Sequence, residues 1–475
     1  MSRALLLLLA AAVLQPILLP RGCRGSGCTS SESASAPPDG SAGGADASTG
    51  TSSASSSSSS SGATGTGAAG AGGSGLCEPQ AIPAVVPAGW VEYTDWSCNC
   101  RFYIPGSKDV MPAPIVWQDC PVKPQGIACK AMLVDWTDGP GSIAVDPVFS
   151  VHEGKRLLAF RRVAKDYLLD LVAEVDGPVR TAIMRVKAPG QKDPSCFLGG
   201  HDLREGMYVI SAWGEYASRE GDSPRSGAIG GPVGMLHLPV IADYNDDRKY
   251  SWRVSSKWVM RIDAKYAEIR VFDWAKTQDL HVIAPPEDPM NMDINAFFAS
   301  GEAVFWSTHV LGYNGLNVWT EAGGAKPFIR WLDDWTRGAD DLGTDGIDMV
   351  WAYGEGKKPN DWEYPVQSVM TAPFTTDPDA LQPRRLRSAD GQIALRPFHV
   401  GCGYAVRGGL FNPNTFVVRL SDGVAWIVPD AWPELKLQLP IGVDCEEVFV
   451  AGEVNGQMDL IRVRLDSLGP GMPPD

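Results

Sequence analysis

Seven times along this chain, two runs rich in aliphatic, aromatic and β-branched residues follow one another as a strand pair, and this recurrence limits the fold more than any other feature. The pairs are 155–160 with 169–175, 207–213 with 233–238, 258–262 with 267–272, 303–310 with 316–320, 347–353 with 366–370, 399–406 with 416–420, and 447–454 with 460–465. The last is the clearest: Ile461, Val463 and Leu465 alternate with Arg462 and Arg464 after an Asn455-Gly456 turn, the pattern of a half-buried hairpin. An isolated hairpin cannot bury its own apolar face, so such units must stack. The later pairs recur roughly every 43–51 residues, near the roughly 40–50 of a four-stranded propeller blade, and no comparable run of amphipathic helix interrupts them. Radial stacking leaves only short, protected sheet edges. The pattern predicts an all-β chain folded as a β-propeller of seven blades. The first two intervals break the period and leave six or eight blades open, and a pair of β-sandwiches is the structural alternative. A lone strand at 131–135 is placed to complete the last blade after Leu465.

The segment before the repeats is of a different kind. Arg3 precedes an apolar run at 4–20, and small residues follow around 22–27, the pattern of a secretory signal. A membrane span needs about 20 apolar residues, and Pro16 interrupts this shorter run. Residues 28–76 are almost wholly Ser, Gly, Ala and Thr, cannot bury a core, and read as a disordered linker. A chain of that length and composition reaches roughly 40 Å, at about 5–6 Å times the square root of residue number. The predicted organisation is signal 1–27, linker 28–76, a Cys/Pro-rich segment 77–130 packed on the propeller, the propeller itself at 131–465, and a tail at 466–475.

A cysteine just beyond an apolar core resembles the start of a bacterial lipoprotein, which implies lipidation of that cysteine. Cys28 follows Gly25-Ser26-Gly27, and Cys23 follows Pro20-Arg21-Gly22. Of the ten cysteines, an anchor at Cys28 leaves eight in the body, an even number, whereas Cys23 leaves nine. Cys28 is therefore the expected lipidation site and Cys23 the alternative. With the repeats, the chain resembles exported bacterial β-propeller proteins of lipoprotein type, which implies architecture alone. There is no recurring Trp-Asp ending, and the pairs Gly199-Gly200, Gly230-Gly231, Gly323-Gly324 and Gly408-Gly409 lack the later Tyr and Trp of kelch repeats. Ser421-Asp422-Gly423 before Trp426 reads as a hairpin turn.

An exported chain favours disulfides, so Cys77, Cys98, Cys100, Cys120, Cys129, Cys196, Cys402 and Cys445 are disulfide candidates. Cys98 and Cys100 are expected to bridge to Cys120 and Cys129, with a four-cysteine zinc site as the rival. The net charge of −15 disfavours nucleic acid and anionic lipid as partners, so membrane contact is expected only through an N-terminal lipid. Four carboxylates, Asp340, Asp341, Asp345 and Asp348, lie within nine residues and could surround one calcium ion, or simply solvate a turn. Asp243, Asn245 and Asp247 alternate like a calcium loop, but Arg248 stands where glycine is needed. No other cofactor is indicated.

Sixteen tryptophans divide by context. Trp306, Trp319 and Trp351 lie in alternating strands and read as core, while Trp331 and Trp335 flank Asp333-Asp334 in a polar stretch where they could stack on sugar. The chain lacks Gly-x-Ser-x-Gly, His-Glu-x-x-His, a phosphate-binding loop and a dinucleotide fingerprint, and its six histidines are scattered. The function these observations favour is a monomeric cell-envelope binding or scaffold protein for a protein or carbohydrate ligand, exported or lipid-anchored. The alternative is an exported carbohydrate-active hydrolase using carboxylates at the channel mouth.

Overall fold

The computed structural model describes residues 82–474 except 98–99, 121–125, 133–141, 144–146, 165, 188–200, 212–226, 231–235, 238–251, 264–267, 274–275, 284–291, 311–312, 330–336, 357–365, 390–397, 409–414, 429–437 and 455–456. The signal, the linker, Cys23, Cys28, Cys77, Cys98, Cys196, Asp243, Asn245, Asp247, Trp331 and Trp335 lie outside the described residues. Among those described, helix is confined to short 3₁₀ turns.

The N-terminal strands are β1 (Trp90–Ser97), β2 (Cys100–Pro105), β3 (Gln118–Asp119), β4 (Cys129–Ala131) and β5 (Ser142–Ile143). A first antiparallel meander follows: β6 (Val148–His152), β7 (Lys155–Val163), β8 (Tyr167–Glu174) and β9 (Val179–Lys187). The second is β10 (His201–Arg204), β11 (Met207–Ser211), β12 (Gly227–Gly230) and β13 (Leu236–His237). The third is β14 (Trp252–Val254), β15 (Trp258–Asp263), β16 (Glu268–Asp273) and β17 (Lys276–Ile283). Then come β18 (Met292–Ser300), β19 (Ala303–Val310), β20 (Tyr313–Thr320) and β21 (Gly324–Ile329), and after them β22 (Arg337–Thr344), β23 (Asp348–Glu355), β24 (Val366–Pro373) and β25 (Arg384–Ala389). The last are β26 (His399–Gly401), β27 (Tyr404–Gly408), β28 (Thr415–Arg419) and β29 (Ala425–Val428), with β30 (Gln438–Val443), β31 (Glu447–Val454) and β32 (Gln457–Arg464).

These strands form an all-β propeller whose described strands hydrogen-bond into six sheets, where seven blades were expected and six or eight left open. The difference has a local cause. One parallel bridge, Asn314 opposite Gly338, joins β20 to β22 and runs two four-stranded meanders together into one eight-stranded sheet. The strands at 155–160 and 169–175, and their counterparts in the third to last pairs, fall on the second and third strands of successive meanders. Two expectations are corrected. The partner of β11 is β12, not the run at 233–238, and the segment 399–406 is a hairpin, β26–β27, turning at Cys402-Gly403. There φ is +55° and +74°, the left-handed conformation of a tight hairpin turn.

The sheets of the first, fourth, fifth, sixth and last meanders carry apolar residues that cluster with neighbours on both faces. In β19, Val304 and Trp306 join a cluster with Trp258, Met260, Ile269 and Val271 of the third meander. Ala303 and Phe305, on the other face, join Leu342, Met349 and Trp351 of the fifth. Trp306, Trp319 and Trp351 are buried, as their strand positions predict. The series ends where it began, since Phe149, Leu158 and Phe160 share one cluster with Ile441, Phe449, Ala451 and Leu460. First and last meanders thus pack together.

Closure is also made by strand pairing and by charge. β4, from the N-terminal segment, adds to β32 with Ala131 opposite Ile461 and Cys129 opposite Val463. The closing strand lies at Cys129–Ala131, slightly before the 131–135 expected. Arg156 of β7 meets Asp176, Asp444 and Glu447, and Arg462 of β32 meets Asp176 and Glu447 while lying over the Trp117 ring. Arg462 is therefore buried, where alternation alone placed it in solvent, because this sheet is covered on both faces.

The cysteine pairing differs from expectation too. Cys120 bonds to Cys129, because β3 and β4 are antiparallel neighbours and place these Cα atoms 5.6 Å apart. Cys402 bonds to Cys445, joining two turns 43 residues apart. Closing a loop of that length removes about 4 kcal/mol of chain entropy from the unfolded state in the polymer model. Cys100 begins β2, which pairs with β1 and β9.

Ala131 is fully buried in the closing strand and Lys130 beside it is exposed. Ala131→Asp would leave a carboxylate buried in the closure core and should cost about 3 kcal/mol or more, whereas Lys130→Glu should change stability by under about 0.5 kcal/mol. Denaturant melts of the two variants check this; equal midpoints would mean that β4 does not hold the ring.

Candidate functional site: the hub of the propeller

The first strands of successive meanders are neighbours around the hub, β22, β26, β30, β6, β10, β14 and β18 in that order, with β30 returning to β6. They approach closely. A side chain at Gly401 would meet the Val443 carbonyl oxygen at 2.2 Å, and one at Gly442 would meet the Phe149 ring at 2.3 Å.

β10 supplies the most polar part of this hub. Leu203 points back into the core shared with Phe102, Leu157, Val172 and Ile183. By strand alternation, Asp202 and Arg204 take the other face. The strand ends in a tight turn with φ of +50° at Glu205 and +78° at Gly206, and any Cβ on Gly206 would strike the His152 ring. That turn aims Glu205 across the hub. Its Oε2 accepts from the Ser256 N–H at 2.7 Å, and its Oε1 accepts from the Gly301 N–H at 2.8 Å and from the Ser300 hydroxyl. One carboxylate therefore ties the second meander to the third and fourth. Asp202 Oδ2 accepts from the Val254 N–H at 3.0 Å.

The guanidinium of Arg204 lies over the Phe298 ring, 5.1 Å from its centroid, so it reaches past β14 to β18. Its Nε is 4.0 Å from Asp202 Oδ2. It is buried without a hydrogen-bond partner, although the side chain as a whole keeps 30% of its area exposed. Arg253 of β14 lies over the neighbouring Phe297 ring. Withdrawal from water lowers the Arg204 pKa; Asp202 and Glu205 oppose that and Arg253 reinforces it. Across the ring, His399 begins β26 on the face opposite Val400, which packs outward with Val350 and Phe398. Its pKa is pulled down to about 4, first by desolvation and second by the charge of Arg204. The ring still keeps some exposed area, so solvent in the hub weakens that desolvation.

Of the four aspartates expected to flank calcium, Asp341 and Asp345 have partners within the chain. Asp341, in a bulge of β22 with φ of +58°, is buried against Arg407 at 2.5 Å. Asp345 Oδ1 accepts from the N–H groups of Ile347 and Asp348 at 3.0 Å, closing the turn before β23. Asp348 adjoins it and its pKa is raised by burial, then by Asp345. Asp340 pairs through its backbone with Ala352. Among the described residues, no group of three or more His, Cys, Asp or Glu is placed to hold a metal ion. The hub residues Arg204, Glu205, Arg253 and His399 escaped the sequence reading, which found the central hairpins and passed over the short inner strands. A signal for those strands existed: Glu153-Gly154, Glu205-Gly206, Asp345-Gly346 and Cys402-Gly403 each mark the turn after an inner strand.

No protein-family model and no curated protein matches this sequence. Among solved structures, an oligogalacturonate lyase in complex with manganese is similar at 12% identity, covering 74% of this chain and 96% of that one, with a TM-score of 0.48. A catalytically inactive virginiamycin B lyase from Staphylococcus aureus is similar at 12% identity, covering 71% and 99%, with a TM-score of 0.41. The β-propeller domain of the Trilobed protease from Pyrococcus furiosus is similar at 7% identity, covering 70% and 97%, with a TM-score of 0.42. At these identities the likeness is one of fold alone.

Two buried groups give stability opposite pH dependences. Asp459 of β32 is 8% exposed and burial raises its pKa from 3.8 to about 7. Folding favours its protonated form, so its contribution is full below pH 4 and is lost as pH rises through 7. His399 is favoured neutral, so its contribution is full above pH 6.5 and is lost as pH falls through 4. Asp459→Asn should raise the melting midpoint at pH 8, by at most about 4 kcal/mol of stability, and leave it unchanged at pH 4. Thermal melts across that range check it, and an unchanged midpoint at pH 8 would refute the burial of Asp459 as the cause.

Proposed function

We propose that this chain is an exported or lipid-anchored cell-envelope binding protein, in which the 28–76 segment is a stalk and the hub of the propeller receives the ligand. In this reading each of the two meanders joined by the Asn314–Gly338 bridge is a blade of its own, and β30, β31, β32 and β4 make the last, for seven blades in all. Two disulfides, Cys120–Cys129 and Cys402–Cys445, support passage through an oxidising compartment. Among the described residues, no helix is long and apolar enough to cross a membrane.

The observation that carries the binding role is how the hub carboxylates are used. Asp202 and Glu205 accept from the backbone N–H groups of Val254, Ser256 and Gly301. Hydrolysis of a glycoside needs a free proton donor facing a free base or nucleophile across the substrate. Carboxylates spent on joining strands suit a rigid receptor better. The ligand is of protein or carbohydrate class and the protein acts as a monomer.

Mass spectrometry of the protein recovered from the envelope fraction tests the export half. The expected N-terminal peptide starts at a lipidated Cys28, and Cys402 and Cys445 resist alkylation until reduced. An unprocessed chain in the cytosol with both thiols free would sink the proposal. Binding to a glycan and peptide array tests the other half, and hydrolysis of a bound glycan would move the assignment to an enzyme.

A further inference from the structure

We propose that the hub is an oxyanion site, in which a carboxylate or phosphate group of the ligand is taken by the guanidinium of Arg204, with Arg253 as second cation and Phe298 as an apolar floor. The inference rests on the reading that the hub receives the ligand, and it names the chemistry of that ligand.

Four observations converge on it. First, Arg204 starts on β10 and its guanidinium reaches past β14 to lie over Phe298 of β18. Second, its Nε is buried with no hydrogen-bond partner, and a charged donor left in that state is costly. The nearest carboxylate, Asp202, stands 4.0 Å off with Oδ2 engaged by the Val254 N–H. Third, both oxygens of Glu205 are already satisfied, by Ser256 on one side and by Gly301 and Ser300 on the other. Fourth, Arg253 brings a like charge close enough to disfavour that of Arg204.

An oxyanion answers all four conditions together. It supplies the acceptor that the Arg204 Nε lacks and adds negative charge beside Arg204. A cation would add to the repulsion from Arg253, and a neutral hydroxyl would leave it unchanged. Stacking on Phe298 fixes the plane of the guanidinium, so its fork is pre-organised for two parallel N–H···O bonds. The 30% of the side chain still exposed provides the approach. The chain as a whole carries a net charge of −15, so a site for anions at its centre is a local feature and not a reflection of overall charge.

Isothermal titration of the full chain with citrate and with inorganic phosphate, ionic strength held constant with sodium chloride, tests this. Saturable binding of at least one probe is expected, and tighter binding of citrate than of phosphate identifies the carboxylate as the preferred group. Arg204→Gln should weaken it roughly ten- to a hundred-fold, the loss expected for charge-assisted hydrogen bonds. Arg204→Lys, which keeps the charge and loses the fork, should fall between. Arg419→Gln, at an exposed ion pair with Asp422, should bind as the parent does. No saturation by either probe overturns the inference, as does parent-like affinity in Arg204→Gln. If that variant does not fold, parent-like affinity in Arg204→Lys overturns it equally. Binding of a neutral glycan or an uncharged peptide without binding of either oxyanion would remove this inference and leave the receptor reading standing; no binding of any probe would remove both.

Discussion

Because the first and last sheets are each apolar on both faces, neither can end the row. Phe305 and Trp306 are neighbours in β19 and both are buried, in clusters on opposite sides of the strand. A sheet of that kind, left at the end of a row, would expose a whole apolar face to water, at roughly 25 cal/mol per Å². The row must therefore return on itself, and the cluster joining Phe149 and Leu158 to Phe449 and Leu460 is where it does.

The other features of the molecule follow from that closure. Chain ends must meet, so a strand from the N-terminal segment pairs with β32. The last interface carries extra fastening, with Arg156 and Arg462 sharing Asp176 and Glu447 across it, and at the interface before it Cys402–Cys445 ties the β26–β27 turn to the β30–β31 turn. Each such contact is modest alone when partly exposed. Their concentration at the closing interface and its neighbour fits a ring whose weakest point is the place where sequence continuity is missing.

Closure also creates the hub. Inner strands from distant parts of the chain are forced side by side, and polar groups at their ends have only one another and a little solvent as partners. Glu205 shows one outcome, a carboxylate used to bind three elements through backbone N–H and hydroxyl donors. Arg204 shows the other, a charge brought inward whose Nε is buried without a hydrogen-bond partner.

The sequence by itself determined the strand type, the central hairpins and the core tryptophans, because alternation with period two is a local property that survives in any arrangement of the sheets. It also marked Cys120, Cys129, Cys402 and Cys445 as disulfide candidates, though not which with which: Cys120 and Cys129 meet only because β3 and β4 pair. Arg462 was misplaced for a related reason, since alternation assumes one wet face and the ring covers both. The six-sheet count turns on one bridge, Asn314 with Gly338, that no pattern announces. Arg204, Arg253 and His399 come together from strands nearly two hundred residues apart in the chain. Their meeting is a product of radius and closure, and that is decided only when the sheets have packed into a ring.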